Sequence, residues 1–224
     1  MVKALSDNLL WFSGYVSNSY LYTGFDTPIL FDVPSPSMVD ELISHLSIDR
    51  LYVLFTHYHF DHIAGSKYLD GKIQPTFVLP RYFKPLLDGE IFPSFPPPRE
   101  WFRGLLRVWR KQGFRFMSLR DIILSPMAGI PFTKAPLRLK RVEYIEDNFM
   151  GFKVINTPGH TPESTTYILE DYFAITGDTV LGWENKIFPN PFCRDRKSIE
   201  ESYGKILSFE FSYLLPGHGE PVKR

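Results

Sequence analysis

Over the first third of the chain, apolar positions come in short runs, and each run ends at a turn former. Leu9–Phe12, Tyr20–Tyr22 and Ile29–Val33 are apolar or aromatic and are separated by Gly, Asn, Asp and Pro, which predicts three strands. Ser35 and Pro36 then stand in the order of an N-cap and a first helical residue. Val39, Leu42, Ile43 and Leu46 follow at helical spacing, so a helix is predicted there. Leu51–Phe55 is continuously apolar up to Thr56, the pattern of a strand buried on both faces. Ile63–Leu69 reads as a helix and Thr76–Leu79 as another strand.

The regular pattern then fails. Pro93, Pro96, Pro97 and Pro98 mark a loop, and Arg99–Lys111 reads as an amphipathic helix. Its apolar face is Trp101, Phe102, Leu105, Leu106 and Trp109, with Arg103, Arg107 and Arg110 mostly off it. Strand patterns return at Val142–Ile145, Phe152–Asn156, Thr165–Leu169 and Tyr172–Thr176. A last helix over Arg196–Leu207 presents Ile199, Tyr203, Ile206 and Leu207, and Tyr213–Leu215 is a short final strand. Strands with helices distributed among them predict an α/β layered sandwich, with two strand-rich parts flanking an irregular middle.

Composition narrows the class more than the function. At 224 residues the chain suits one domain, 1–224, with 81–141 as a basic insertion rich in aromatics and proline. Net charge is zero, yet 81–141 holds 13 Lys and Arg against 4 Asp and Glu, which leaves the remainder acidic. No secretory signal is legible at the start, and no apolar run reaches the roughly eighteen residues of a membrane span. Cys193 is the single cysteine, so no intramolecular disulfide can form, and a cytoplasmic setting is the expectation.

The candidate chemistry lies in five of the six histidines. They fall in Thr56-His57-Tyr58-His59-Phe60-Asp61-His62, Pro158-Gly159-His160-Thr161 and Pro216-Gly217-His218-Gly219, while Gly177-Asp178-Thr179 supplies a carboxylate between the last two. Side chains two apart in an extended segment point the same way, so His57, His59 and Asp61 are expected to converge, with His62 aimed elsewhere. His160, Asp178 and His218 each follow a glycine and a predicted strand, which places them on strand-end loops. A His and carboxylate set without thiolate suits zinc, and also iron or manganese. Two adjacent cations need a shared anionic ligand, for which Asp178 is the natural candidate. Zinc lowers the pKa of bound water to about 7, giving hydroxide for attack on a carbonyl or phosphoryl group. Asp61 could then move a proton to the leaving group. His45, on the first helix, reads as an ordinary surface or partly buried histidine.

In these motifs, taken in order, the chain resembles the metallo-β-lactamase fold superfamily, and the likeness covers nearly everything outside the middle segment. The resemblance implies an αββα four-layer sandwich with two metals at one edge, between the sheets. It assigns His57, His59 and His160 to the first metal, Asp61, His62 and His218 to the second, and Asp178 to the bridge. Glyoxalase II-like and broader hydrolase members are more similar than true β-lactamases, which usually lack the bridging aspartate. Full glyoxalase II enzymes carry a helical glutathione-binding domain, whereas six residues follow His218 here. The alternative enzyme is a mononuclear iron persulfide dioxygenase. That branch usually shows Gly-Cys-Gly-Arg after the aspartate, where this chain has Thr179-Val180-Leu181-Gly182-Trp183. A non-enzymatic metal-binding module is the rival class.

The expected function is therefore metal-dependent hydrolysis of an ester, thioester, lactone or phosphodiester, with two divalent ions, zinc first. The basic middle suggests a lid or rim and a small, anionic substrate. Its charge would also attract nucleic acid, but no recognised nucleic-acid motif accompanies it. The aromatic content makes a homodimer an expectation.

Overall fold

The computed structural model describes residues 1–14, 17–33, 35–46, 50–91, 96–112 and 137–224, with the side chains of 107–112 excepted. The chain opens as an antiparallel meander of β1 (Val2–Ser6), β2 (Leu9–Ser13), β3 (Asn18–Tyr22) and β4 (Ile29–Phe31). Helix α1 (Pro36–Ser44) carries it to β5 (Tyr52–Leu54), parallel to β4. Short helices α2 (Phe60–Ile63) and α3 (Ser66–Lys72) lead to β6 (Thr76–Pro80). Helices α4 (Lys84–Leu87) and α5 (Pro98–Gln112) precede β7 (Val142–Ile145). Strands β6 and β7 add in parallel, giving a seven-stranded sheet in the order β1 to β7.

The second half contributes β8 (Asn148–Phe149), β9 (Phe152–Asn156), β10 (Thr165–Leu169) and β11 (Phe173–Gly177). A separate hairpin of β12 (Val180–Trp183) and β13 (Lys186–Pro189) follows, then α6 (Arg196–Leu207), β14 (Tyr213–Pro216) and β15 (Val222–Lys223). The second sheet has the order β15-β14-β11-β10-β9-β8. Since β10 is antiparallel to both β9 and β11, and β14 is parallel to β11, strands β9, β11 and β14 all point the same way.

Three apolar layers hold four layers of structure together. Leu21, Leu30, Val53 and Phe77 of the first sheet pack on Val39, Leu42 and Leu69 from α1 and α3. On its other face, Tyr20, Phe31, Leu54 and Val78 meet Phe152, Tyr167, Phe173 and Leu215 of the second sheet. Ile155, Ile168, Ala174 and Leu214 cover the far side of that sheet with Ile206 of α6. The architecture is thus the αββα sandwich expected. Adjacent residues Val53 and Leu54 fall in different layers, which is why β5 reads as continuously apolar.

Several expectations need correcting. Ile63–Leu69 is not one helix: it breaks at Ala64-Gly65, where a Cβ on Gly65 would lie 2.7 Å from the Ser35 carbonyl oxygen. Strand β4 stops at Phe31 rather than Val33, because Asp32 turns into the left-handed region at φ 61°. Phe102 is not on the packed face of α5. It is 56% exposed, while Gly104 is buried. The side chains of Arg107, Trp109 and Arg110, and Pro93, lie outside the described residues. His45 is exposed and edge-on to Phe12. No helix among the described residues is long and apolar enough to cross a membrane.

Phe152 sits fully buried between the sheets, with ring centroids 5.4 Å from Phe31 and 5.7 Å from Phe173. Phe152→Ala is expected to lower unfolding free energy by about 3–5 kcal/mol in chemical denaturation. Phe102→Ala should change it by no more than about 0.5 kcal/mol. A large loss at Phe102 would contradict the packing of α5 described above.

Candidate metal centre

Every candidate ligand emerges where a strand runs out. The His57–His62 stretch follows β5 of the first sheet, while His160, Asp178 and His218 follow β9, β11 and β14 of the second. The common direction of those three strands puts their ends at one edge. There the Thr165 N–H donates to the Thr56 carbonyl (2.7 Å) and the Tyr167 hydroxyl to the Phe55 carbonyl (2.7 Å), stitching the sheets together. All three preceding glycines are sterically required: Gly177 has φ +49°, and a Cβ there would lie 2.4 Å from the Thr56 Cβ. Gly159 has φ +133°, and a Cβ there would lie 2.4 Å from the Ile199 nitrogen. A Cβ on Gly217 would lie 2.4 Å from Asp178 Oδ1 and 2.6 Å from His62 Cε1.

All seven sequence-derived candidates come together. Ligand atoms of His57, His59 and His160 lie within 4.8 Å of one another, as do those of Asp61, His62 and His218, and those of His57, His62 and Asp178. Asp178 stands between the first two groups. Its Oδ2 is 3.4 Å from His160 Nε2 and 3.2 Å from His218 Nε2, and its Oδ1 is 3.4 Å from His62 Nε2. Asp61 does not converge with His57 and His59 as strict alternation predicts. The extended backbone ends at His59, the N-cap of α2, so Asp61 turns towards His62 (3.8 Å) and His218 (3.2 Å).

The residues that orient these ligands were not legible as motifs. Asp32 accepts from the Thr56 N–H at Oδ1 (2.8 Å), and at Oδ2 from the Thr56 hydroxyl and the His62 Nδ1–H (2.7 Å each). With its one proton given to Asp32, the Thr56 hydroxyl accepts from His57 Nδ1–H (3.2 Å). His160 Nδ1–H donates to the Phe192 carbonyl (2.8 Å). These partners make Nδ1 the donor in each ring, so that the ring, once neutral, offers the Nε2 lone pair to the cluster. Asn190 donates from Nδ2 to the Asp178 carbonyl (2.9 Å) and accepts the Phe192 N–H (2.8 Å). Asn18 donates from Nδ2 to the carbonyls of Pro216 (3.0 Å) and Gly219 (2.8 Å), on either side of His218. The signal for Asp32 was an acidic residue ending a buried strand. Asn18 and Asn190 carried none.

The donor set fits metal ions. His57 Nε2, His62 Nε2 and Asp178 Oδ1 are buried without a hydrogen-bond partner, a costly state that coordination would relieve. His59 Nδ1 and His160 Nε2 lie 3.0 Å apart, close to the edge of about 3.3 Å expected of two imidazoles on one tetrahedral zinc. Burial, together with the His62 and His59 rings, holds His57 well below its usual pKa. Burial first also pushes His160 down to about 4. Both are neutral, as ligands must be. Burial opposes protonation of His62, but Asp32, Asp61 and Asp178 lift it well above its usual value. His218 is pushed up to about 10, against partial burial, by Asp178 and Asp61. Burial would raise Asp178, yet the His218 and His62 rings hold it well below the carboxylate range.

A pH dependence follows. Without metal, His62 and His218 carry protons at neutral pH, because their pKa values are raised. A metal must displace those protons, so its affinity should fall as pH is lowered. Titration calorimetry of the metal-free protein in two buffers of different ionisation enthalpy should show net proton release at pH 7. Binding that releases no proton would contradict this electrostatic account.

Comparison with known proteins agrees with the geometry. The sequence profile of the metallo-beta-lactamase superfamily matches residues 13–218. A beta-lactamase-like protein 2 homolog of Drosophila melanogaster is 25% identical, over 92% of this chain and 60% of that protein, so the chain spans about three fifths of its length. A probable metallo-hydrolase of Methanocaldococcus jannaschii is also 25% identical, over 92% of this chain and 89% of that protein. An archaeal superfamily protein from Sulfolobus tokodaii superposes with a TM-score of 0.60 at 19% identity, covering 93% of this chain and 76% of its own. A protein crystallised in a di-iron-bound form gives 0.60 at 22% identity, covering 94% and 92%. These structural likenesses establish the fold alone. The profile match across nearly the whole length, on an αββα sandwich with these motifs gathered at one edge, places the chain in the metallo-beta-lactamase superfamily.

Proposed function

We propose that the chain is a dinuclear metal-dependent hydrolase of an ester, thioester, lactone or phosphodiester. The observation that carries this reading is the position of Asp178, whose two oxygens reach histidines of two separate triads. In this reading His57, His59 and His160 hold one ion, Asp61, His62 and His218 the other, and Asp178 bridges them. One iron in one triad would leave the second triad of the cluster without a purpose, which argues against the mononuclear alternative. Zinc suits the donors, and iron or manganese would also fit. The di-iron form of one structural relative supports iron as an occupant. Bound divalent ions supply Lewis acidity and acidify water at neutral pH.

The chain's own residues set direction and proton traffic. The side chains of His57, His62, His160 and Asp178 are at most 6% exposed, whereas those of Asp61 and His218 are 28% and 29% exposed. Substrate therefore approaches from the side of Asp61 and His218. The Ser17 hydroxyl donates to the Asp61 carbonyl and fixes that residue at the opening. Asp61 is the group placed to pass a proton to a leaving group. The basic balance of 81–141 supports a small anionic substrate.

The test is turnover of a panel of esters, thioesters, lactones and phosphodiesters by fully metallated protein. Chelation should abolish activity and added zinc restore it. Asp178→Ala should lose metal and drop kcat/KM by more than about a hundredfold, beyond what the loss of an outer hydrogen-bond partner costs. Full occupancy and activity in that variant would refute the bridging role. No turnover across the panel at full metal content would instead favour a metal-dependent binding module.

A further inference from the structure

The segment between β6 and β7 touches the candidate centre at two places. On one side, helix α5 approaches the loop after β13. Gly104 is buried there, and a Cβ on it would lie 2.5 Å from the Pro191 carbonyl oxygen and 3.0 Å from Phe192 Cδ1. One turn earlier, the Trp101 ring lies 5.9 Å from the Phe192 ring at an interplanar angle of 35°. The Phe192 carbonyl is the acceptor that orients His160. On the other side, the Leu137 N–H donates to the Tyr58 hydroxyl (3.0 Å). Tyr58 is buried and stands between His57 and His59, and its own N–H donates to buried Glu163 (3.3 Å), three residues beyond His160.

Both contacts lead to one triad. We infer that helix α5 and Leu137 brace the loops carrying His57, His59 and His160, making Gly104, Trp101 and Tyr58 positioning residues for the metal held by that triad. The inference rests on the two-metal reading above. Ser17 and Asn18 hold the loops of Asp61 and His218, through the carbonyls of Asp61, Pro216 and Gly219. Helix α5 and Leu137 would therefore act on the buried ion, and Ser17 and Asn18 on the one beside Asp61 and His218. An outer partner of a ligating histidine typically contributes 10–100-fold in metal affinity, which sets the size of the effect.

The test is stepwise zinc titration of the metal-free full chain, together with the imidazole nitrogen NMR of the five clustered histidines. Wild type should take up two ions. Fewer than two would defeat the two-metal reading before any variant is made. Gly104→Ala and Tyr58→Phe should each weaken one ion by about tenfold or more and leave the other within about threefold. In the metal-free protein, Gly104→Ala should shift the His160 ring signals and Tyr58→Phe those of His57 and His59, with His218 unmoved. Gly204→Ala is the control, since that glycine is also helical but has nothing within 4 Å of a built Cβ. Should Gly104→Ala fail to fold, Trp101→Leu removes only the ring against Phe192 and carries the same expectation. Folded variants that bind both ions as wild type does, or that weaken both equally, would overturn the inference.

Discussion

The structure turns on the cost of burying polar atoms that face one another. Imidazoles from His57, His59, His62 and His160 pack with ring centroids as close as 4.1 Å, beside a carboxylate that is itself almost wholly buried. Several of these atoms have no hydrogen-bond partner. A fold does not tolerate such a cluster for packing reasons, since each unsatisfied buried group costs stability. The cluster makes sense as a site whose donor atoms suit cations.

That preparation explains features that otherwise look incidental. Strands β9, β11 and β14 run the same way, so three chain segments far apart in sequence end at one edge. Glycine precedes each late ligand. At Gly217 even a methyl group would strike both Asp178 and His62. Asp32 adopts an uncommon left-handed conformation, which costs energy for a residue with a Cβ. In that place its carboxylate ties the end of β5 to His62 and, through Thr56, to His57. The apolar layers supply the rigidity, and the loops at their edge supply the chemistry.

Much of this was legible in the sequence because it is local. The continuous apolar run of Leu51–Phe55, the N-cap order of Ser35 and Pro36 and the spacing of the histidine motifs each report on a few neighbouring residues. What was not legible depends on contacts distant in sequence. Strands β1, β8 and β15 are short or half-exposed, and they exist because a neighbouring strand pairs with them. No pattern marked the hairpin β12–β13, yet it leads into Asn190 and Phe192, which orient Asp178 and His160. Helical periodicity put Phe102 on the packed face of α5, but the helix approaches the body through Gly104, and a face built on hydrophobicity alone could not show a contact made by a residue without a side chain. Periodicity likewise misplaced Asp61, because alternation holds only while the backbone stays extended, and it ceases to be so at His59.

The central claim is that one edge of the sandwich holds two cations, and anomalous diffraction from crystals grown with metal tests it most directly. Data at the zinc, iron and manganese edges should show two peaks, one among His57, His59 and His160 and one among Asp61, His62 and His218, with the Asp178 carboxylate between them. A single fully occupied peak, or a second peak away from Asp61, His62 and His218, would contradict the account.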